Sequence, residues 1–420
     1  MTTSPPRRPS GAPSPSPGPS RSTSPGIDEG KGAGVVVAVR RLFKSETGNY
    51  FLVLGTTLFL VVFGLIMVLS SSSVSSFKQS DDFFATFARQ GMFALLAIPV
   101  MLLASRMPTA FWRRWAGFAL VLALTLQFLV IATPLGISHQ GNTNWIEIAG
   151  VRGQPSELVK VALVLWLGMI LAQKLPVLDD WKEMLPIGAI AVTAAGLVVL
   201  GHDLGTTIIL VAIIFGAAFF AGVRLRLLAI PAALVLVGAW IMTMTGSRAE
   251  RIAVWQTGCT SPDDYNLGCW QTLHGWWALA SGGTFGVGLG NSKAKWSWLP
   301  EADNDFIFAI IGEELGLIGA VLVLVLFTAL AIGFVRIIRA STDPFAKITV
   351  SAIMAWILGQ AFINIAVVLG LLPVLGVPLP LISAGGSSLV TTLLAIGIAM
   401  SFARRPSHPE APAASPLGRS

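Results

Sequence analysis

Charge is scarce in this sequence. Only 12% of its 420 residues are Asp, Glu, Lys or Arg, where a water-soluble globular domain carries about a quarter. Cysteine is nearly missing, with two residues, and there are four scattered histidines. No CxxC, no HExxH and no His pair occurs, so the familiar zinc spacings are not available. No GxxxxGK[ST] loop occurs either, which removes the usual cradle for nucleotide phosphates. The alternating pattern of a membrane β-barrel is absent. The first 49 residues are too polar to hold a secretory leader ahead of the first apolar run.

What the chain does have is apolar length. Hydrophobic residues make up 54% and the mean hydropathy is +0.74. A membrane-crossing helix needs about 20 largely apolar residues, and in lipid the backbone must satisfy its own hydrogen bonds. The repeated apolar runs therefore predict an all-α polytopic integral membrane protein with about ten transmembrane helices. They are expected near 51–72, 83–104, 115–135, 156–174, 185–201, 206–222, 227–245, 305–335, 347–370 and 385–403. The formal charge of +7 says less than its placement, and nucleic acid is not expected. One side receives the N-terminal basic residues, Arg106, Arg113, Arg114, Lys174, Lys182, Arg224, Arg226, Arg336, Arg339, Lys347 and the C-terminal arginines. The other receives Lys78, Arg152, Arg248, Arg251, Lys293 and Lys295, with Arg89 and Lys160 inside spans. The positive-inside rule puts both termini in the cytoplasm. Residues 1–49 read as a Pro/Ser-rich tail, 50–404 as the membrane domain and 405–420 as a shorter tail. The first tail has too little to bury to fold alone, and is either a solvated tether or a segment that binds a partner or is phosphorylated.

The large extracellular loop between helices 7 and 8, residues 246–304, is the outlier. Long structured loops are usually functional. It holds Trp255, Trp270, Trp276, Trp277, Trp296 and Trp298, and tryptophan favours the headgroup region, so part of it should lie on the membrane surface. Both cysteines, Cys259 and Cys269, are here, flanking Asp263 and Asp264. Outside the cell disulfides persist; a bridge would close a small loop around the aspartates, and two unpaired thiols are the alternative.

Polar groups within spans are costly and mark candidate sites. Glu157 and Lys160 are three residues apart at a helix start, on one face. They are a local ion pair, or a charged site open to the outer leaflet where the lysine meets lipid phosphate. Glu313 and Glu314 are adjacent, so at most one should face a shared cavity; hydrogen bonding to a neighbouring helix and a proton relay are the two readings. Asp203, in GHDLGTT, caps a helix or lines a cavity, and Gly205 beside it permits close backbone approach. Asn364 suits a helix–helix hydrogen bond. The segment 371–388, with three prolines and three glycines, cannot be regular helix and must line a cavity or be covered by protein.

Four stretches carry a resemblance: NWIEIAGVRGQPSELVK (144–160), HDLGTT (202–207), WQTLHGWWALASGGTFGVGLGNSKAKWSWLPEADNDFIFAIIGEELG (270–316) and NIAVVLGLLPVLGVPLPLISAGGSS (364–388). In this order they resemble the shape, elongation, division and sporulation (SEDS) family of polytopic membrane proteins, over about residues 45–405. The run FAIIGEELG and the long N-terminal tail are closer to its division members than to its elongation members. The resemblance implies a peptidoglycan glycosyltransferase that polymerises lipid II at the outer face of the cytoplasmic membrane during septal wall synthesis. It implies a class B penicillin-binding protein and other division membrane proteins as partners, besides membrane lipids. A lipid II flippase and a non-catalytic scaffold are the alternatives.

The family's essential aspartate lies in the large loop, in a pattern like D-P-x-G-x-G-Y-Q. Counting back from Gln271 gives Asp264, with Trp270 at the tyrosine place and Asp263 as the rival. The chain departs from the pattern in several ways: Tyr265 replaces the proline, Pro262 precedes the pair and only Gly268 remains of the glycines. Elsewhere His202 stands for a proline, Ala384 for a tyrosine, and Asp303-Asn304 for a His-Thr. The resemblance makes Asp264 the general base. Pyrophosphate charge would be met by Lys160, then Arg248 and Arg251, or by a divalent cation, Mg or Mn. Glu157 would orient Lys160 or help hold the cation, and Asp203 and Asp305 would line the cavity.

Overall fold

The computed structural model describes residues 47–139, 142–148, 151–233, 252, 255–256, 258–259 and 269–404. Residues 1–46 and 405–420 and the pair Asp263 and Asp264 lie outside the described residues, as do Arg248 and Arg251; the last three residues of the expected N-terminal tail, 47–49, instead cap and begin the first helix. Ten helices can be labelled within those bounds: α1 Gly48–Ser80, α2 Ala85–Ala104, α3 Thr109–Ala132, α4 Pro155–Gln173, α5 Trp181–Leu200, α6 Leu204–Ala221, α7 Cys269–Gly282, α8 Ile307–Ala340, α9 Pro344–Val368 and α10 Gly386–Ser401. Eight are long and apolar enough to cross a bilayer; α7 lies in the long stretch that precedes α8, and α10 is a shorter apolar helix. Of the expected seventh span, 227–233 lies in a helical stretch, 225–233, and the rest lies outside the described residues.

Local chemistry sets the helix starts. Asp180, Asp203 and Asp343 each accept a backbone N–H at the head of α5, α6 and α9, satisfying donors that the helix itself cannot. Pro155 and Pro344 occupy first-turn positions, where no N–H is needed. Between α3 and α4, where the sequence reading placed no strand, there is a small antiparallel sheet. Its strands are β1 Gly136–His139, β2 Asn142–Ile148 and β3 Val151–Gly153, in that order. Asn144 turns inward from β2, accepts from Gln127 of α3 at 2.7 Å and is fully buried. Thr143 N donates to Gly201 O at 2.9 Å, which ties the sheet to the α5–α6 turn.

The helices divide into an inner and an outer set. α4 is buried along most of its length, and α9 packs on it and on α6. α10 packs on α2, and α8 on α1 and α9. Helices α2, α3 and α5 present leucine and valine outward, including Leu95, Val121 and Val192; facing lipid, such residues carry no penalty. With no hydrophobic gain between helices in lipid, small residues must bring backbones together. Gly397 of α10 lies against the Met101 carbonyl, and Gly168 of α4 against Thr349 of α9.

Candidate functional site

Residues 369–385, between α9 and α10, are irregular and yet tightly held. Gln360 of α9 donates to Pro378 O at 2.9 Å, and Asn364 donates to Val377 O at 2.7 Å and to Asp305 O at 2.8 Å. The expected helix–helix role of Asn364 is therefore corrected: it stitches α9 to two stretches of irregular backbone. From α2, Gln90 donates to Ser383 O and accepts from Gly385 N. Gly64 of α1 meets Leu381 and Ile382, and a β-carbon there would stand 2.6 Å from the Leu381 carbonyl. Irregular backbone at membrane depth needs such partners in place of water.

Glu157 and Lys160 lie beside this segment. They form an ion pair of 2.8 Å with side chains 5% and 2% exposed. Glu157 accepts from Thr391 of α10 at 3.0 Å. The Lys160 ammonium also reaches Gln360 Oε1 at 3.5 Å and lies 4.8 Å from the centre of the Trp356 ring. Trp356 Nε1 donates to the same Gln360 oxygen at 3.0 Å. In this structure the ammonium is buried among these partners.

Asp203 caps α6: its carboxylate accepts from Thr206 N at 2.9 Å, from Thr206 Oγ1 at 2.8 Å and from Gln154 Nε2 at 2.6 Å. Two residues on, Gly205 sits under the carbonyls of Leu375 and Gly376. Asp305 Oδ2 lies 3.6 Å from where a β-carbon on Gly376 would stand. The Asp203 cap and Asp305 thus converge on 375–377. Next to them Ala384 N donates to Asp303 O at 2.8 Å. Burial raises the Asp303 carboxyl above its ordinary value of 3.8; its backbone hydrogen bond works against this and nearby Glu301 adds to it.

Glu314 makes the expected hydrogen bond to a neighbouring helix, through Ser70 of α1, but the expectation that only one of Glu313 and Glu314 faces a shared place requires a correction. Both carboxylates engage one loop, although adjacent helical residues point apart. Glu313 accepts from the Ser292 hydroxyl and from Lys293 N at 2.9 Å. Glu314 accepts from Ser292 N at 3.3 Å and from Ser70 of α1 at 2.6 Å, and pairs with Lys295 at 3.3 Å. They sit about 9 Å into α8, at its N-terminal end, and they anchor 287–295. Two glutamate side chains with three rotatable bonds each can converge on a loop lying across the helix.

Cys259 and Cys269 are bonded to each other, and Cys269 is the first residue of α7. Trp270 and Trp298 stack near His274, and Trp277, Trp296 and Trp298 are exposed, as suits the headgroup region. No group of three or more His, Cys, Asp or Glu residues suited to a metal ion occurs among the described residues. The sequence reading missed Gln90, Gln154, Gln360 and Thr391. Three of them are uncharged polar residues within apolar helices, a signal of the same kind as Asn364.

Comparison with known proteins agrees with this arrangement. The family described as cell cycle protein, comprising FtsW, RodA and SpoVE, matches residues 50–408. A relative named probable peptidoglycan glycosyltransferase FtsW, from Mycobacterium tuberculosis, is 40% identical over 88% of this chain and 70% of its own. The Geobacter sulfurreducens protein of the same name is 37% identical over 82% of this chain and 92% of its own. Stage V sporulation protein E of Bacillus subtilis is 33% identical over 86% and 98%. Among solved structures, a chain of a peptidoglycan synthase complex described as coordinating polymerization and crosslinking superposes with a TM-score of 0.68. The Thermus thermophilus rod shape determining protein RodA does so with 0.61. Both are 22% identical, covering 84% of this chain and 96% of theirs, and so they speak to the fold. The chain is a multi-pass membrane protein and belongs to the FtsW, RodA and SpoVE family of cell cycle proteins.

Proposed function

We propose that this protein is a peptidoglycan glycosyltransferase that polymerises lipid II at the outer face of the cytoplasmic membrane, at the division septum. The observation that carries this is the match of nearly the whole chain to relatives bearing that activity in their names. The reaction joins a sugar hydroxyl to an anomeric carbon and releases a lipid pyrophosphate. The hydroxyl is a poor nucleophile, and a carboxylate within hydrogen-bond reach takes its proton as the new bond forms. Asp264 is assigned that role, with Asp263 as the rival; the bond between Cys259 and Cys269 limits where either can go. One base acting on one face inverts the anomeric centre, as in inverting glycosidases.

The leaving pyrophosphate needs positive charge. Lys160, Arg248 and Arg251 are the proposed sources, and Glu157 holds Lys160 until the pair opens. Asp203 and Asp305 shape the adjoining wall through 375–377. An Mg or Mn ion held with the pyrophosphate would need only one or two carboxylates, of which Glu157 is the nearest to Lys160, and would supply further positive charge there. The lipid tails stay in the bilayer, with entry beside 373–386. A class B penicillin-binding protein is the proposed partner, crosslinking the strand as it forms.

The test is lipid II polymerisation by the purified protein with that partner. Asp264→Asn is expected to lower the rate by at least about 100-fold, while Asp263→Asn stays near wild type and both variants still bind the partner. Full activity in Asp264→Asn would move the base elsewhere. No polymer from wild type would return the protein to the transporter or scaffold class.

A further inference from the structure

Beside the bonded cysteines is a cleft of about 240 Å³ that the reaction above does not use. Its walls are indoles: Trp255, Trp270 and Trp276 line it, together with Gln271, Thr272 and Pro373. The rings are held in place. Trp255 Nε1 donates to Gly370 O at 2.9 Å, and Trp270 Nε1 to Trp298 O at 2.7 Å. Trp276 sets its edge against Gly370, where a β-carbon would stand 2.2 Å from Cζ2, and its buried Nε1–H meets no acceptor. Gln271 uses Nε2 on Pro300 O at 3.1 Å, which leaves its amide oxygen as an acceptor. Trp255 keeps 38% of its surface exposed, so its ring remains open to a ligand.

Flat aromatic faces interleaved with an amide and a hydroxyl match one kind of molecule well. A pyranose ring has a face of C–H groups that packs on an indole and a rim of hydroxyls that needs polar partners. An acyl chain would have no use for Gln271 and Thr272. The cleft is smaller than the range typical of drug-sized ligands, roughly 300–1,000 Å³, and takes a sugar ring rather than a protein element. Rings already fixed by hydrogen bonds lose little freedom on binding. We propose that this cleft is a saccharide subsite that takes one N-acetylhexosamine unit of the growing glycan, at a position bearing no lipid. The proposal rests on the glycosyltransferase reading and adds to it a place where the product strand is gripped outside the membrane.

The test uses the full chain with its partner in lipid nanodiscs and a soluble β-linked N-acetylglucosamine tetramer as probe. Calorimetry measures its binding to wild type, Trp255→Leu and Trp255→Phe, and lipid II polymerisation is assayed on the same samples. Both variants lose the bond to Gly370; only Trp255→Leu loses the aromatic face. The expected result is binding by wild type, about tenfold weaker binding by Trp255→Leu, and Trp255→Phe within about threefold of wild type. Shorter strands from Trp255→Leu in the polymerisation assay are expected alongside. If wild type polymerises lipid II yet ignores the tetramer, or all three bind it equally, the subsite is overturned and the enzyme reading stands. Equal losses in Trp255→Phe and Trp255→Leu also overturn it, because the Gly370 bond alone then explains the effect. Binding in the expected order without any polymer from wild type keeps the subsite and removes the glycosyltransferase reading.

Discussion

A lysine buried among transmembrane helices is tolerated only in company, and Lys160 has Glu157, Gln360 and the Trp356 ring. Removing one member of a buried ion pair leaves the other charged with no counter-charge, which costs about 3–5 kcal/mol, whereas removing both is far cheaper. Lys160→Met should therefore lose about that much stability, and Lys160→Met with Glu157→Gln should regain most of it; chemical unfolding of the four combinations in detergent measures both. Equal loss in the single and double variants would mean that the pair contributes nothing as a pair. At this scale the sequence was half legible. The spacing of Glu157 and Lys160 told of their pairing, because helix geometry is local. Gln360 and Thr391 lie 200 and 234 residues from their partners in the pair, and no periodicity encodes a contact of that range.

At the scale of the element, apolar length was enough to find nine of the ten expected spans, with ends shifted by up to eight residues where caps and prolines decide, while most of the seventh lies outside the described residues. The strands β1 to β3 escaped because a run of three to seven residues is invisible to a window sized for a bilayer. The expected bond to a neighbouring helix is there, from Ser70 to Glu314, but that Glu313 and Glu314 share one loop was missed because a rule for helix faces ignores a loop crossing the helix. That crossing depends on Gly316, whose backbone is non-helical within α8, with φ 67° and ψ −161°. A β-carbon there would stand 2.4 Å from Gly286 N, in a region of backbone space that disfavours any side chain. Gly316→Ala is expected to release 283–295 from α8 and lower the thermal midpoint. Limited proteolysis should then cut near Ser292 several times faster than in wild type; unchanged cleavage would show that the loop tolerates the alanine.

Over the whole molecule, the placement of Lys and Arg makes a statement that can be checked directly. With Cys259 and Cys269 replaced by serine, a single cysteine at Lys293 or at Thr342 reports the side it faces; both positions are exposed. A membrane-impermeant maleimide should label Lys293→Cys in intact cells, and Thr342→Cys only after lysis. The opposite pattern would invert the molecule and place the bonded cysteine loop in a reducing compartment.

The distance in sequence between α4 and its neighbours also has a consequence in time. Gln360 and Thr391 leave the ribosome 200 and 234 residues after Lys160 and Glu157 respectively. At about 5–20 residues per second, that is a wait of roughly 10–50 s during which α4 has entered the bilayer and its final companions do not yet exist. A lone ammonium or carboxylate could not be stored there so long without cost. Because Glu157 and Lys160 stand one helical turn apart, each neutralises the other as soon as that turn forms, and the span can be delivered to the membrane before the rest of the site has been synthesised.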